Sequence, residues 1–238
     1  FTVTGGAAEN GAGINASPES LDGPEGELVL VNTIVSGNTA NFLGGGIVSR
    51  VLTLTNSTVS GNAAEVGGGM AIDDESTLIN STVSGNTAGR KGAAINGGVT
   101  LVNTTVIGDM HFGDLVALKA FGSVIQGACS EDGSEGPPQT SNGYNIESPG
   151  NTCAFDPDGT DRVNVTAEQL YVGPLADNGG PTMTLALLTD PTVSWAVAAI
   201  PADLGAEDQD QRGEPRPPPF FRLEVTCDVG AFEVQPSD

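Results

Sequence analysis

A chain of 238 residues with 34 glycines, 5% aromatics and only 16% charged residues has the profile of a turn-rich β protein and not of a helical one. Its 30 acidic side chains against 8 basic ones give a formal charge of −22, which would repel phosphate backbones and anionic lipid surfaces. No apolar run reaches the ~18 residues of a membrane span, so neither nucleic acid nor membrane insertion is expected. No signal peptide stands at Phe1, and the chain reads as a mature or excised segment.

Residues 1–14 (FTVTGGAAENGAGI) match residues 57–70 without gaps, so the chain opens on the second half of a repeating unit. An acidic insertion, residues 15–27, follows and is expected to form a loop on one face. The complete unit then recurs on Asn32, Asn56, Asn80 and Asn103, at spacings of 24, 24 and 23 residues. A leucine stands two residues before each, a hydroxyl one residue after, and a valine three residues after. Six residues on comes Asn38, Asn62, Asn86 or Asp109, and a glycine-rich clasp closes the unit.

Within a unit the period is two: Leu52 and Leu54 alternate with Thr53 and Thr55. Alternation would next turn Thr58 inward, yet Val59 is the recurring apolar residue. The chain must therefore bend near Asn56-Ser57, again at Ser60-Gly61-Asn62, and a third time at the glycines. Three short strands and three bends in 23 or 24 residues describe one coil of a parallel β-helix; helical solenoids need about 33–45 residues per unit. Stacking would place like residues ~4.8 Å apart, so that Leu, Val and Ile/Met form inner columns. Asn32, Asn56, Asn80 and Asn103, with Asn38, Asn62 and Asn86, are expected to form amide ladders in which each side chain bonds to the coils above and below. Asn56, Asn80 and Asn103 also head glycosylation sequons, but an inward structural amide is the expected role. Asn15 and Asn164, in expected loops, are the sequons open to a glycan.

Residues 117–127 read as one further coil with Val124 and Ile125 in its core. Cys129 and Cys153 flank a Gly/Ser/Pro-rich loop that a disulfide would restrict, worth roughly 3 kcal/mol in the chain-entropy model. No Cys-x-x-Cys spacing suggests zinc. The reading is a secreted, oxidised protein with one bridge and Cys227 left over. Residues 215–221 (PRPPPFF) cannot be a central strand. The expected architecture is all-β: a parallel β-helix over residues 1–127, and a disulfide-containing loop and irregular C-terminal cap of the same domain over 128–238.

Chemistry is sparse. Asp156, Asp158 and Asp161 surround Gly159 with spacing similar to a calcium loop, without the distal glutamate; calcium is the single candidate cofactor. His111 is the only histidine and Arg90-Lys91 the only basic pair, both expected in loops, and Asp73-Asp74-Glu75 is expected at a solvated bend. Outward positions are mostly Thr, Ser, Ala and Gly, so the facing carboxylates of a hydrolase and the base of a lyase are not in view. A chain that starts mid-coil presents strand edges, and head-to-tail stacking of copies into a filament would cover them.

The repeat is followed in order by Gly143-Tyr144-Asn145-Ile146, by Gly173-Pro174-Leu175-Ala176-Asp177-Asn178-Gly179-Gly180-Pro181-Thr182, by Asp210-Gln211-Arg212-Gly213 with Arg216-Pro217, and by Cys227-Asp228-Val229-Gly230-Ala231-Phe232-Glu233. This series resembles the choice-of-anchor Q family of bacterial secreted right-handed parallel β-helix proteins, related to polymorphic outer-membrane-protein repeats. The resemblance covers nearly the whole chain. It implies a right-handed helix, export, and attachment at the cell surface by a separate sorting tail, but no defined activity. Members commonly carry a cysteine shortly before Asp-Gln-Arg-Gly; residues 201–208 have none, which leaves Cys227 without that partner. Arg212 and Arg216 are expected to fork onto Asp228 or Glu233 and fasten the cap. The expected function is that of a secreted or cell-surface structural or adhesive protein without catalysis, with itself or an extracellular glycan as partner. The alternative is a carbohydrate-active β-helix that cleaves or binds a polysaccharide.

Overall fold

The computed structural model describes residues 1–17, 27–113, 116–133, 137–157, 159–201, 204, 207–216 and 226–235. Most of the acidic insertion and part of the proline run lie outside them. The described chain is all-β, with one four-residue helix, Ala167–Leu170.

The repeats up to Lys91 contribute strands to each of three parallel sheets, and the later ones to two of them. Thr2–Thr4, Ile34–Ser36, Thr58–Ser60, Thr82–Ser84, Thr105–Ile107, Val124–Gln126 and Ile146–Ser148 form a seven-stranded sheet. Its register puts Val3, Val35, Val59, Val83, Val106 and Ile125 in one column, and from Val35 onward these are fully buried. We call it the valine sheet. A ten-stranded sheet carries the leucine column Leu30, Leu54, Leu78 and Leu101 and the column Ile14, Ile47, Met70, Ile95 and Met110; we call it the leucine sheet. Ala7–Asn10, Thr39–Leu43, Ala63–Val66 and Thr87–Lys91 make a short third sheet. No single repeat could bury these apolar residues, whereas stacked repeats enclose one core between the sheets.

The bends explain the polar residues. Asn32, Asn56, Asn80 and Asn103 all have φ between 45° and 51°, the left-handed region that asparagine tolerates better than most side chains. At the clasp the constraint is space. A Cβ on Gly68 would lie 2.2 Å from Thr87 O, and one on Gly69 2.4 Å from Ala94 O, so only glycine lets successive repeats approach this closely.

The stack runs further than expected. Cys129–Glu131, Thr140–Ser141 and Ile146–Ser148 pair in parallel with the preceding repeat, so part of the supposed 129–153 loop is another turn of the stack. Cys129 continues the Ile/Met column opposite Met110, and its disulfide to Cys153 is formed. The valine column then ends on Glu147, which is fully buried. Its carboxylate accepts from Thr152 N, Thr152 Oγ1 (2.7 Å) and Cys153 N (3.1 Å). This pins the loop that lays Cys153 and Phe155 against the end of the core.

Residues 161–165 still lie along the last strand, with Arg162 bridging Ile146 and Val165 N donating to Glu147 O, and the chain then leaves the end of the stack. It runs back along the outer face of the valine sheet, where a second apolar cluster joins Val124 and Ile146 to Val165, Leu170, Leu187, Ile200, Val229 and Phe232. The C-terminal region is thus an end plug followed by a lateral clasp. Composition marks it as atypical without saying which surface it covers.

Candidate functional site

Two asparagine columns behave differently. Asn38, Asn62 and Asn86 form an amide ladder: Asn38 Nδ2 donates to Asn62 Oδ1 (2.9 Å) and Asn62 Nδ2 to Asn86 Oδ1 (3.0 Å). The same oxygens accept from the backbone N–H of the preceding repeat, at 3.0 and 2.9 Å. Asn62 and Asn86 also donate to the carbonyls of Val35 and Val59. Asn32, Asn56, Asn80 and Asn103 make no such amide-to-amide bond, and the expectation of a second ladder is corrected. Their left-handed backbone turns the side chains to the outer bend. The inward role there falls to the next residue, whose hydroxyl accepts from the repeat before: Thr33 N to Ser57 Oγ (3.0 Å) and Ser57 N to Ser81 Oγ (3.2 Å). Asn145 extends this hydroxyl column and Asp161 ends it, its Oδ1 accepting from Asn145 N at 2.8 Å. Asp161, an expected calcium ligand, therefore faces the stack. Asp156 has its own partners, and Asp158 lies outside the described residues. No group of three or more His, Cys, Asp or Glu side chains gathers at metal-holding distance among the described residues. The sequons at Asn15 and Asn164 are exposed.

The clasp is organised by a hairpin-like turn, residues 208–216. Asp210 is fully buried; it accepts from Arg212 N, Glu214 N, Arg212 Nε and Glu233 N, at 2.8–3.0 Å. Arg212 thus pairs with Asp210, and its guanidinium lies 3.7 Å from the Phe232 ring centroid. Arg216 Nη1 donates to Glu233 Oε2 (3.0 Å) and to Asp228 O (2.8 Å). Of the four residues expected to fasten this region, Arg216 and Glu233 pair with each other. Asp228 contributes a carboxylate that accepts from Ala198 N and Val234 N, at 2.6 and 2.7 Å. Burial pushes the Glu233 carboxyl up to about 8, helped by the Asp228 charge and opposed by Arg216. Burial likewise raises Asp228 and pushes the free, buried Cys227 thiol up to about 11.

Gln211 belongs to a motif noted in the sequence, but its role was not read there. Its side chain is fully buried against the outward threonines of the valine sheet. Nε2 donates to Thr58 Oγ1 (3.0 Å), Thr182 Oγ1 (2.9 Å), Met183 O and Ser57 O, while Oε1 accepts from Thr82 Oγ1 (2.6 Å). Thr105 Oγ1 in turn accepts from Ala231 N at 3.0 Å. The repeating threonine was the available signal: a β-branched residue with a hydroxyl suits an interface that is packed and hydrogen-bonded.

Between the clasp and the outer bend lies a cavity of about 430 Å³, lined by Thr55, Asn56, Ile79, Asn80, Glu207, Asp208, Gln209 and Pro215. Asn80 Nδ2 donates to Gln209 O (2.7 Å) and Asn103 Oδ1 accepts from Glu207 N (3.2 Å), which hold the 207–209 segment beside the bend. Asn56 Oδ1 and Asn80 Oδ1 are buried without a hydrogen-bond partner.

A second polar cluster surrounds His111, which lies on the strand Met110–Phe112 and not in a loop. Its Nδ1 is 2.9 Å from Ser130 Oγ, its register partner on the next strand. Nε2 is 3.2 Å from Asp132 Oδ2, within ion-pair reach but off the line of a hydrogen bond. Asp132 is also bonded to Lys91, and these two contacts hold its carboxyl below the usual range. Asp73, Asp74 and Glu75 lie within the strand Met70–Ile79, with Asp74 paired to Arg50 and Glu75 to Lys119. Such exposed ion pairs are worth ~0–1 kcal/mol each.

No family model, curated protein or solved structure matches this chain.

Proposed function

We propose that this chain is a right-handed parallel β-helix that works outside the cell as a structural or adhesive module without catalysis. The observation that carries the reading is where the strongest polar chemistry sits. Asp210, Arg212, Arg216 and Glu233 join one another inside the clasp, and Gln211 joins the clasp to the sheet. These groups are engaged in holding the molecule together. Right-handedness is supported by the strong physical preference for right-handed connections between parallel strands. The disulfide supports an oxidising compartment. The choice-of-anchor Q resemblance gains support from the meeting of its separate motifs in one clasp, where Arg216 pairs with Glu233 and Gln211 reaches Thr58 and Thr82 of the distant repeats. A head-to-tail filament is not part of the proposal, because Phe155 and Cys153 occupy the far end of the core.

The test is retention of the purified chain on a panel of extracellular polysaccharides, with product release followed in parallel. Binding without release is expected. A second reading, the carbohydrate-active enzyme, has the Ser130–His111–Asp132 contact in its favour. Unsaturated or reducing ends released by the chain, and lost in His111→Ala, would replace the first reading with the second.

A further inference from the structure

We infer that the cavity beside the outer bend is a saccharide-binding groove, selective for chains bearing protonated amino groups. This rests on the adhesive reading and names the ligand class it would use. Asn80 is 5% exposed and lines the groove, yet its Oδ1 has no partner. A buried acceptor left empty is costly, so a donor that reached this oxygen from the groove would be held there. Asn56 Oδ1 repeats the vacancy one repeat earlier, displaced by the ~4.8 Å strand spacing. Two like acceptors at a short fixed interval suit a polymer whose hydroxyl or amino groups recur along its length.

The walls narrow the class. Glu207 and Asp208 are exposed carboxylates on the groove's rim, and the chain's charge of −22 adds to the same field. Uronates and sulfated sugars would be repelled, while an ammonium group would be drawn in and paired. Ile79 and Pro215 supply the apolar surface on which a sugar ring's C–H face rests. The residues present are thus acceptors with an aliphatic floor, which matches an amino sugar better than a neutral or acidic one.

The experiment is calorimetric titration of the intact chain with short glucosamine oligomers, their N-acetylated forms and oligogalacturonate. Glu207→Gln/Asp208→Asn and Asn80→Gly, which keeps the left-handed backbone available, are titrated alongside. Saturable binding of the glucosamine oligomer is expected, roughly tenfold weaker after N-acetylation and roughly tenfold weaker in the rim variant. Asn80→Gly is expected to weaken it as well, and binding should fall as salt is raised. No saturable binding, equal binding of oligogalacturonate, or affinity unchanged in the rim variant would overturn the groove. The exposed rim pair tests the proposal even if Asn80→Gly loosens the clasp. Polysaccharide retention that survives in the rim variant would overturn the groove alone, whereas absence of retention by the unaltered chain would overturn the adhesive reading.

Discussion

Gln211→Ala removes the side chain that ties the clasp to two neighbouring repeats. In the wild-type chain Thr82 Oγ1 donates to Gln211 Oε1, and Thr82 is fully buried. Truncation leaves that hydroxyl without its acceptor, at ~1–3 kcal/mol. Ser57 O keeps its bond from Thr82 N, so it adds little. The space vacated by the amide and its stem adds about 1–2 kcal/mol. The expected loss is therefore about 2–5 kcal/mol. Urea denaturation can be followed by the single tryptophan, Trp195, which lies in the clasp region, and by far-UV circular dichroism, which reports the stacked sheets. In the wild type the two transitions should coincide; in Gln211→Ala the tryptophan transition should move to lower urea first. Pairing the change with Thr82→Val removes the orphaned hydroxyl, and the double variant should recover about 1 kcal/mol relative to additivity. A loss below about 0.5 kcal/mol with coincident transitions would refute the argument.

Three further outcomes are expected. Replacing Cys129 and Cys153 by serine opens a loop of sequence separation 24, and thermal or urea melts should show a loss of about 3.5 kcal/mol in the chain-entropy model. Glu233 has an ordinary pKa of 4.5 and a folded one of about 8. Between those values the folded chain holds a proton that the unfolded chain has released, so the contribution is full below pH 4.5 and is lost as pH rises to 8, at up to about 1.4 kcal/mol per pH unit; Asp228 shifts in the same direction, and Glu233→Gln should flatten the melting-temperature profile. Asn62→Ala breaks the middle rung of the ladder and should cost about 2–4 kcal/mol, whereas Asn32→Gly at an exposed left-handed bend should change stability by less than about 0.5 kcal/mol by the same denaturation assay.

The stacking was legible because the signal is periodic: Val35, Val59, Val83 and Val106 each meet the copy of themselves one repeat away, so spacing alone pairs them. The bends were legible for the same reason, but not the direction of their side chains. Asn32 and Asn38 look alike as letters; only the left-handed backbone at one and the inward turn at the other separate an outer bend from a ladder. Glu147 hides because a carboxylate in a valine column reads as the end of the pattern, when it is the anchor of the plug. Gln211 and Thr82 lie 129 residues apart, and no local period links them. The pairing of His111 with Ser130 was missed because the weakened repeat after Asp109 conceals that they are register partners.

Repeat stacks ordinarily couple only neighbours, so a fluctuation that opens one end can travel inward one unit at a time. The clasp changes that. It is fixed to Thr58, Thr82, Thr105 and Gly122, on four successive strands of the valine sheet or the bends beside them. Peeling any one of these strands away requires breaking contacts to a segment that also grips the others. A rod under tension would therefore yield as one block over this span, at a higher force than any single rung could bear, and only the repeats before Asn56 would remain free to flex separately.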